Sequence, residues 1–144
     1  MTDKLVVDAS VALKWQFKDE LQIEEAIQML SDFIEGKINL LSPSLFAYEI
    51  VNAVHIGVLR KRIPDGEGLA IINDILSVGI TLVDFDELVQ PTFNMAKTFK
   101  RSTYDCAYLA LAEKEGCPLF TADERFFNAV KDKVKFIKWV GDYR

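Results

Sequence analysis

The stretch TYDCAYLALAEKEGCPLFTAD, residues 103–123, carries the unit from which the fold is read. Thr103–Glu115 reads as a helix, and Gly116 stops it. Pro118–Ala122 is a short apolar run and reads as a buried strand. Asp123 stands at its end.

The same alternation extends outward through the chain. Lys4–Ala9 is a strand whose apolar run, Leu5, Val6 and Val7, meets Asp8. Ser10–Gln16 is predicted as a short helix with Ser10 as its cap. In Leu21–Gly36, Ile23, Ile27, Leu30 and Ile34 fall at helical spacing, and Gly36 ends the pattern. Ile38–Ser42 is a second strand, followed by a long helix over Ser44–Lys61 that is over by Pro64. A helix over Leu69–Val78 leads to a strand over Ile80–Phe85. Glu87–Phe99 is helical, with Pro91 inside its first turns, where proline is tolerated. Glu124–Lys131 is a helix and Val134–Val140 a last strand. Apolar strands separated by amphipathic helices predict an α/β fold: a three-layer α/β/α sandwich on a parallel sheet, with strands near 4–9, 38–42, 80–85, 118–122 and 134–140. Sites in such sheets form outside the carboxyl ends of the strands, where strand order reverses.

The 144 residues fit one domain, 1–144, and half of them are apolar, enough for a core without disulfide staples. A net charge of −5 argues against a generally basic nucleic-acid binder. Cys106 and Cys117 form no CxxC pair, and the lone His55 completes no zinc site. Two buried thiols in a cytoplasmic protein are expected. The N-terminus has no secretory pattern, and no apolar run approaches the ~20 residues that span a membrane.

Four acids call for explanation. Asp8 and Asp123 end strands one and four and are predicted to share one rim of the sheet, although each is also a natural helix cap. Glu49 has Leu45, Phe46, Ala53 and Ile56 as helical neighbours, an apolar face on which a carboxylate needs a partner. Arg60 is one structural explanation, and Asn52 lies on the same side. Asp105 has Tyr108, Leu109 and Ala112 beside it, but it also sits in a first turn, where the helix dipole favours an anion and Thr103 is the expected cap. Taken together, the four propose carboxylates converging on one rim. Such a cluster needs a counter-charge, and a hard cation, Mg2+ or Mn2+, supplies it. That chemistry suits phosphodiester hydrolysis.

With VVDAS at the start, LFAYEIVNAV in a helix and TYDCAYLALAEKEGCPLFTAD near the end, the sequence resembles the PIN-domain ribonucleases, most closely the VapC-type toxins of toxin–antitoxin pairs. Motifs, order and length agree over nearly the whole chain. The resemblance implies an α/β/α sandwich and a Mg2+- or Mn2+-dependent endoribonuclease acting on RNA. It places the acidic site on Asp8, Glu49, Asp105 and Asp123, with Thr121 and Ser10 beside them; Asn52 joins them only through its helical spacing from Glu49. It also implies a homodimer and a cognate antitoxin that silences the site.

Two basic clusters, RKR at Arg60, Lys61 and Arg62, and KTFKR ending in Lys100 and Arg101, are candidates for an RNA path, against the alternative of solvated helix ends. Trp15, Phe17 and Phe46 are expected in packing rather than in base stacking, and Arg125 is a further candidate contact. Two rival functions stand beside the nuclease. One is a phosphotransfer protein with a strand-end Asp as nucleophile, disfavoured because the first strand gives DAS and not DxD. The other is a non-enzymatic binding domain in which the acids only cap helices and pair. Within the nuclease class, RNA processing without a toxin role is the alternative.

Overall fold

The computed structural model describes residues 2–17 and 21–144. Five strands, Asp3–Val7 (β1), Ile38–Pro43 (β2), Thr81–Val83 (β3), Leu119–Thr121 (β4) and Ile137–Trp139 (β5), form one sheet in the order β3-β2-β1-β4-β5. Every pairing is parallel. Around it lie the helices Ala9–Leu13 (α1), Ile23–Ile34 (α2), Leu45–Leu59 (α3), Gly68–Leu76 (α4), Val89–Phe99 (α5), Thr103–Glu115 (α6) and Glu124–Val130 (α7). Single 3-10 turns occupy Phe85–Glu87 and Val140–Asp142.

The pleat of β1 sorts the layers, because successive side chains of a strand face opposite ways. Leu5 and Val7 pack with Met29 of α2, Phe46 and Ile50 of α3 and Ile75 of α4. Val6 packs on the other face with Met95 of α5, Leu109 and Leu111 of α6 and Phe126 of α7. The predicted three-layer sandwich is therefore present, with the central strand apolar because both its faces are covered.

From β1 the chain builds β2 and β3 on one side, then returns to place β4 and β5 on the other. Strand order reverses between β1 and β4, where Val6 lies opposite Leu119 and Val7 opposite Phe120. This is the switch point at which the fold opens a crevice beyond the strand ends. Asp8 follows β1, and Asp123 follows β4 after one residue.

The strands at the site are shorter than their apolar runs predict. Beta-strand one stops at Val7 because Asp8 already caps α1, its carboxylate accepting from the Val11 amide. Asp8, and not Ser10, is thus the cap. On α6 the cap is Ser102, whose hydroxyl accepts from the Asp105 amide, in place of Thr103. The C-terminal end of α3 is closed by Lys61, which has a positive φ of 60°. The chain then folds back so that Ile63 is buried against Gly57, where a Cβ would lie 2.7 Å from Ile63 Cδ1. The fold-back leaves Arg60, Lys61 and Arg62 exposed at the turn.

Candidate metal centre

At the switch point a cleft of about 280 Å³ is lined by Asp8, Ser10, Glu49, Asn52, Asp105, Tyr108 and Asp123, with apolar walls from Leu13, Ala53 and Ile56. Two of its acids come from strand ends, one from α3 in one layer and one from α6 in the other.

Asp8 lies deepest, at 6% exposure. Its Oδ1 accepts from the Ser10 hydroxyl and, at 3.3 Å, from the Val11 amide. Its Oδ2 accepts from Thr121 Oγ1 at 2.5 Å. Burial pushes this carboxyl from 3.8 up to about 7, against the downward pull of the two hydroxyls and with a smaller upward push from Asp123. The hydroxyls are themselves anchored on the other strand end. Ser10 Oγ accepts from the Ala122 amide at 2.8 Å, and Thr121 Oγ1 from the Asp123 amide at 3.0 Å. Thr121 lies fully buried beneath the cleft. Ser10 and Thr121 thus lock the acid that ends β1 to the backbone that ends β4.

Asp123 is exposed at the rim and caps α7, its Oδ1 accepting from the Phe126 amide at 3.1 Å. For Asp8 and Asp123, capping a helix and facing the cleft are the same placement, because the helix that follows each strand starts at the rim.

Glu49 finds its partner across the cleft. Tyr108 donates its hydroxyl to Glu49 Oε1 at 2.5 Å, in place of the Arg60 pairing that the sequence suggested. Burial pushes the Glu49 carboxyl up, Tyr108 pulls it down, and the charges of Asp105 and Asp123 push it up again. Burial and the adjacent Glu49 raise the Tyr108 phenol above its ordinary range, so it stays a proton donor. Tyr108 is the site residue that sequence reasoning missed. Its signal was a polar-tipped aromatic three residues after Asp105, on the same helical face. Tyr108→Phe is expected to lower the stability of the chelated protein by about 1.5–3 kcal/mol, since a charged acceptor loses its donor. Thermal melts in EDTA measure this.

Burial also raises Asp105, opposed by Arg101 and reinforced by Asp123. Arg101 Nη2 donates to Asp105 Oδ2 at 2.9 Å. Of the predicted RNA contacts, the structure brings Arg101 alone to the acids. Lys100 is exposed at the end of α5. Arg60, Lys61 and Arg62 do not line the cleft: Arg60, the C-cap of α3, stands eleven residues beyond Glu49, ~16 Å along the helix axis. Trp15 is buried, its Nε1 donating to the Ala26 carbonyl at 3.0 Å, and Phe46 is core. The guanidinium of Arg62 lies 4.6 Å from the ring centre of Phe17. Arg125 is exposed on α7. Both cysteines are free and buried.

The donor set consists of carboxylate and hydroxyl oxygens, the chemistry preferred by Mg2+ and Mn2+. Among the described residues, Asp105 alone of the four acids has a salt bridge. The other three are held by neutral donors, so the cleft carries negative charge without an equal counter-charge, which fits a divalent cation. Among the described residues no three His, Cys, Asp or Glu side chains form a ready-made metal-holding group. Each acid is instead engaged by a protein partner: Asp8 by Ser10 and Thr121, Glu49 by Tyr108, Asp105 by Arg101 and Asp123 by the α7 backbone. No helix among the described residues is long and apolar enough to cross a membrane.

Comparison with known proteins bears on the same span. The family model described as PIN domain matches residues 5–133. Ribonuclease VapC12 of Mycobacterium tuberculosis is 28% identical over 121 residues, covering 84% of this chain and 88% of that protein. Ribonuclease VapC3 of Pyrobaculum aerophilum is 30% identical over 124 residues, covering 85% and 91%. Among solved structures, PAE2754 from Pyrobaculum aerophilum superposes with a TM-score of 0.67 at 22% identity, over 97% of this chain and 92% of that one. Mycobacterium tuberculosis VapC20, titled a sarcin-ricin loop cleaving toxin, superposes with a TM-score of 0.60 at 15% identity, over 87% and 94%. The two superpositions speak for the fold, and the family match with the curated relatives speaks for descent. The resemblance carried by VVDAS, LFAYEIVNAV and TYDCAYLALAEKEGCPLFTAD is thereby borne out, and the chain belongs to the PIN-domain family.

Proposed function

We propose that this chain is a Mg2+- or Mn2+-dependent endoribonuclease that hydrolyses RNA phosphodiester bonds, and that it acts in the cytoplasm as the toxin of a toxin–antitoxin pair. The observation that carries this is the convergence of Asp8, Glu49, Asp105 and Asp123 on one cleft at the switch point of the sheet. Membership of the PIN-domain family and similarity to proteins named VapC ribonucleases support it. Residues 1–144 are taken as one nuclease unit.

Asp8, Glu49, Asp105 and Asp123 would hold the cation. Bound there, it supplies charge neutralisation at the scissile phosphate and a water of lowered pKa. The chain's own residues do the positioning. Ser10 and Thr121 fix both oxygens of Asp8, so the deepest ligand needs little reorganisation. Tyr108 keeps its proton and orients Glu49. Asn52 presents an uncharged amide to the cleft. Asp123, at the rim, meets solvent and incoming substrate first. Arg101 at the acids, and Lys100 and the more distant Arg60, Lys61 and Arg62 outside the cleft, are read as phosphate contacts along the RNA path.

Partner proteins are part of the same reading. Tyr48, Val51 and Leu59 of α3 and Tyr104 of α6 are exposed apolar side chains, Tyr48 at 76%. Such patches mark interaction surfaces. A second copy of the chain and a small antitoxin are the partners proposed.

Incubation of single-stranded RNA with the purified chain tests the activity. Cleavage is expected with Mg2+, should stop in EDTA and should return with excess Mn2+. Glu49→Gln should leave no cleavage above background. Cleavage that persists in EDTA would overturn the metal-dependent reading.

A further inference from the structure

Arg101 forms the only salt bridge to the four site acids among the described residues. It does so from outside any helix. Lys100 takes a left-handed φ of 54°, Ser102 caps α6, and Arg101 between them turns its guanidinium back onto Asp105. The pair is three-quarters buried, with side-chain exposures of 28% and 26%. The guanidinium carbon lies 5.8 Å from the centre of the Phe126 ring. Its Nε is buried without a hydrogen-bond partner.

A guanidinium offers five N–H donors, and burying one unpaired has a real free-energy cost. Arg101 therefore sets one unmet donor against the charge-assisted hydrogen bond that it makes to Asp105. Asp105 is the acid it faces, with the Asp123 charge also acting on Asp105. One unit of positive charge stands where the donor set suits two.

We infer that Arg101 is a built-in counter-ion for Asp105, engaged while the cleft holds no metal and giving way when a divalent cation takes that carboxylate. The salt bridge and the metal then compete for one group, and Arg101 is a positioning residue that sets the metal concentration at which the site fills. The inference rests on the metal-dependent reading above.

Calorimetric titration of the chelated, dialysed protein with Mn2+ tests it. Removal of an ion pair of this exposure is expected to tighten Mn2+ binding by roughly two- to fivefold in Arg101→Gln, while Arg101→Lys stays near wild type. In an Asp105→Asn background the Arg101→Gln gain should vanish, because the competition runs through Asp105. In EDTA the Arg101→Gln protein should melt below wild type, and saturating Mn2+ should narrow that gap. A purely structural role would leave the gap unchanged. On the wild-type chain, the Arg101 Nε–H resonance should move in step with Mg2+ occupancy. Unchanged or weaker Mn2+ binding by Arg101→Gln, a gain that survives in Asp105→Asn, or a resonance that does not move would each overturn the inference while leaving the nuclease reading intact. Wild-type protein showing no saturable Mn2+ binding that Asp8→Asn removes would overturn both.

Discussion

Asp8→Asn is expected to abolish RNA cleavage while making the chelated protein more stable at pH 8. The two effects have one cause. Asp8 is 6% exposed and is held by neutral donors, so its charge is unfavourable until a cation arrives. Its carboxyl titrates at about 7 in the folded chain, against 3.8 for an unburied Asp. Above pH 7 both folded and unfolded chains carry the charge, and the folded chain bears the full penalty. As pH falls from about 7 towards 4, the folded chain binds a proton that the unfolded chain does not, and the penalty fades. Metal-free wild type should therefore gain stability on acidification across this window, by up to about 4 kcal/mol from Asp8, at 1.36 kcal/mol per pKa unit. Burial raises Glu49 and Asp105 too, and they tilt the slope the same way. Asn at position 8 keeps the cap that α1 requires and removes the charge. Urea unfolding in EDTA at pH 8 and pH 5 should show wild type gaining stability with acid and Asp8→Asn gaining less. Adding Mg2+ should raise the wild-type midpoint and leave Asp8→Asn unmoved, because only the folded, charged site binds the ion. Cleavage should fall at least about a hundredfold, beyond what loss of a supporting hydrogen bond does to a metal site. A chelated wild type that loses stability between pH 8 and pH 5 would contradict this account.

The acids could be found in the sequence because each broke a local pattern. Glu49 interrupted an apolar helix face, and Asp8 and Asp123 ended strands that the parallel-sheet rule sends to one rim. The layers followed from the same periodicities, since the pleat of β1 sends Leu5 and Val7 to one core and Val6 to the other. What holds the acids was hidden, because it depends on side-chain reach between segments far apart in the chain. Tyr108 meets Glu49 across 59 residues, and Thr121 meets Asp8 across 113. Local rules mistook Ser10 and Thr103 for caps because neighbouring residues, Asp8 and Ser102, are equally good cappers. Backbone dihedrals decide between them: both chosen residues are extended, with ψ of 174° and 152°. The basic cluster at Arg60–Arg62 read like an RNA contact from composition alone. Its placement beyond the end of α3 puts it outside the cleft.

Thr121→Val should cost the protein ten- to hundredfold in metal affinity, and cleavage at limiting metal should fall with it. The change keeps the β-branched side chain in a fully buried position and replaces its hydroxyl with a methyl. That hydroxyl has two partners. It donates to Asp8 Oδ2 at 2.5 Å and accepts from the Asp123 amide at 3.0 Å. Valine leaves the amide unpaired, a loss of about 1–3 kcal/mol, and loosens the backbone that carries Asp123 to the rim. It also removes one of the two hydroxyls that hold the Asp8 carboxyl down, so this acid shifts further up. At neutral pH more of Asp8 is then protonated, and a metal must displace that proton to bind. Raising the pH deprotonates Asp8 and returns part of the lost affinity. The Mn2+ concentration for half-maximal cleavage should be shifted strongly at pH 7 and much less at pH 9. Thr121→Ser, which restores the hydroxyl, should lie near wild type at both. Ser10→Ala should shift the metal requirement the same way, since Ser10 also donates to Asp8 and binds the Ala122 amide. If Thr121→Val cut the maximal rate but left the metal requirement unchanged at both pH values, Thr121 would be supporting the fold and not the Asp8 carboxylate. The two roles separate in this titration because only one of them passes through a proton.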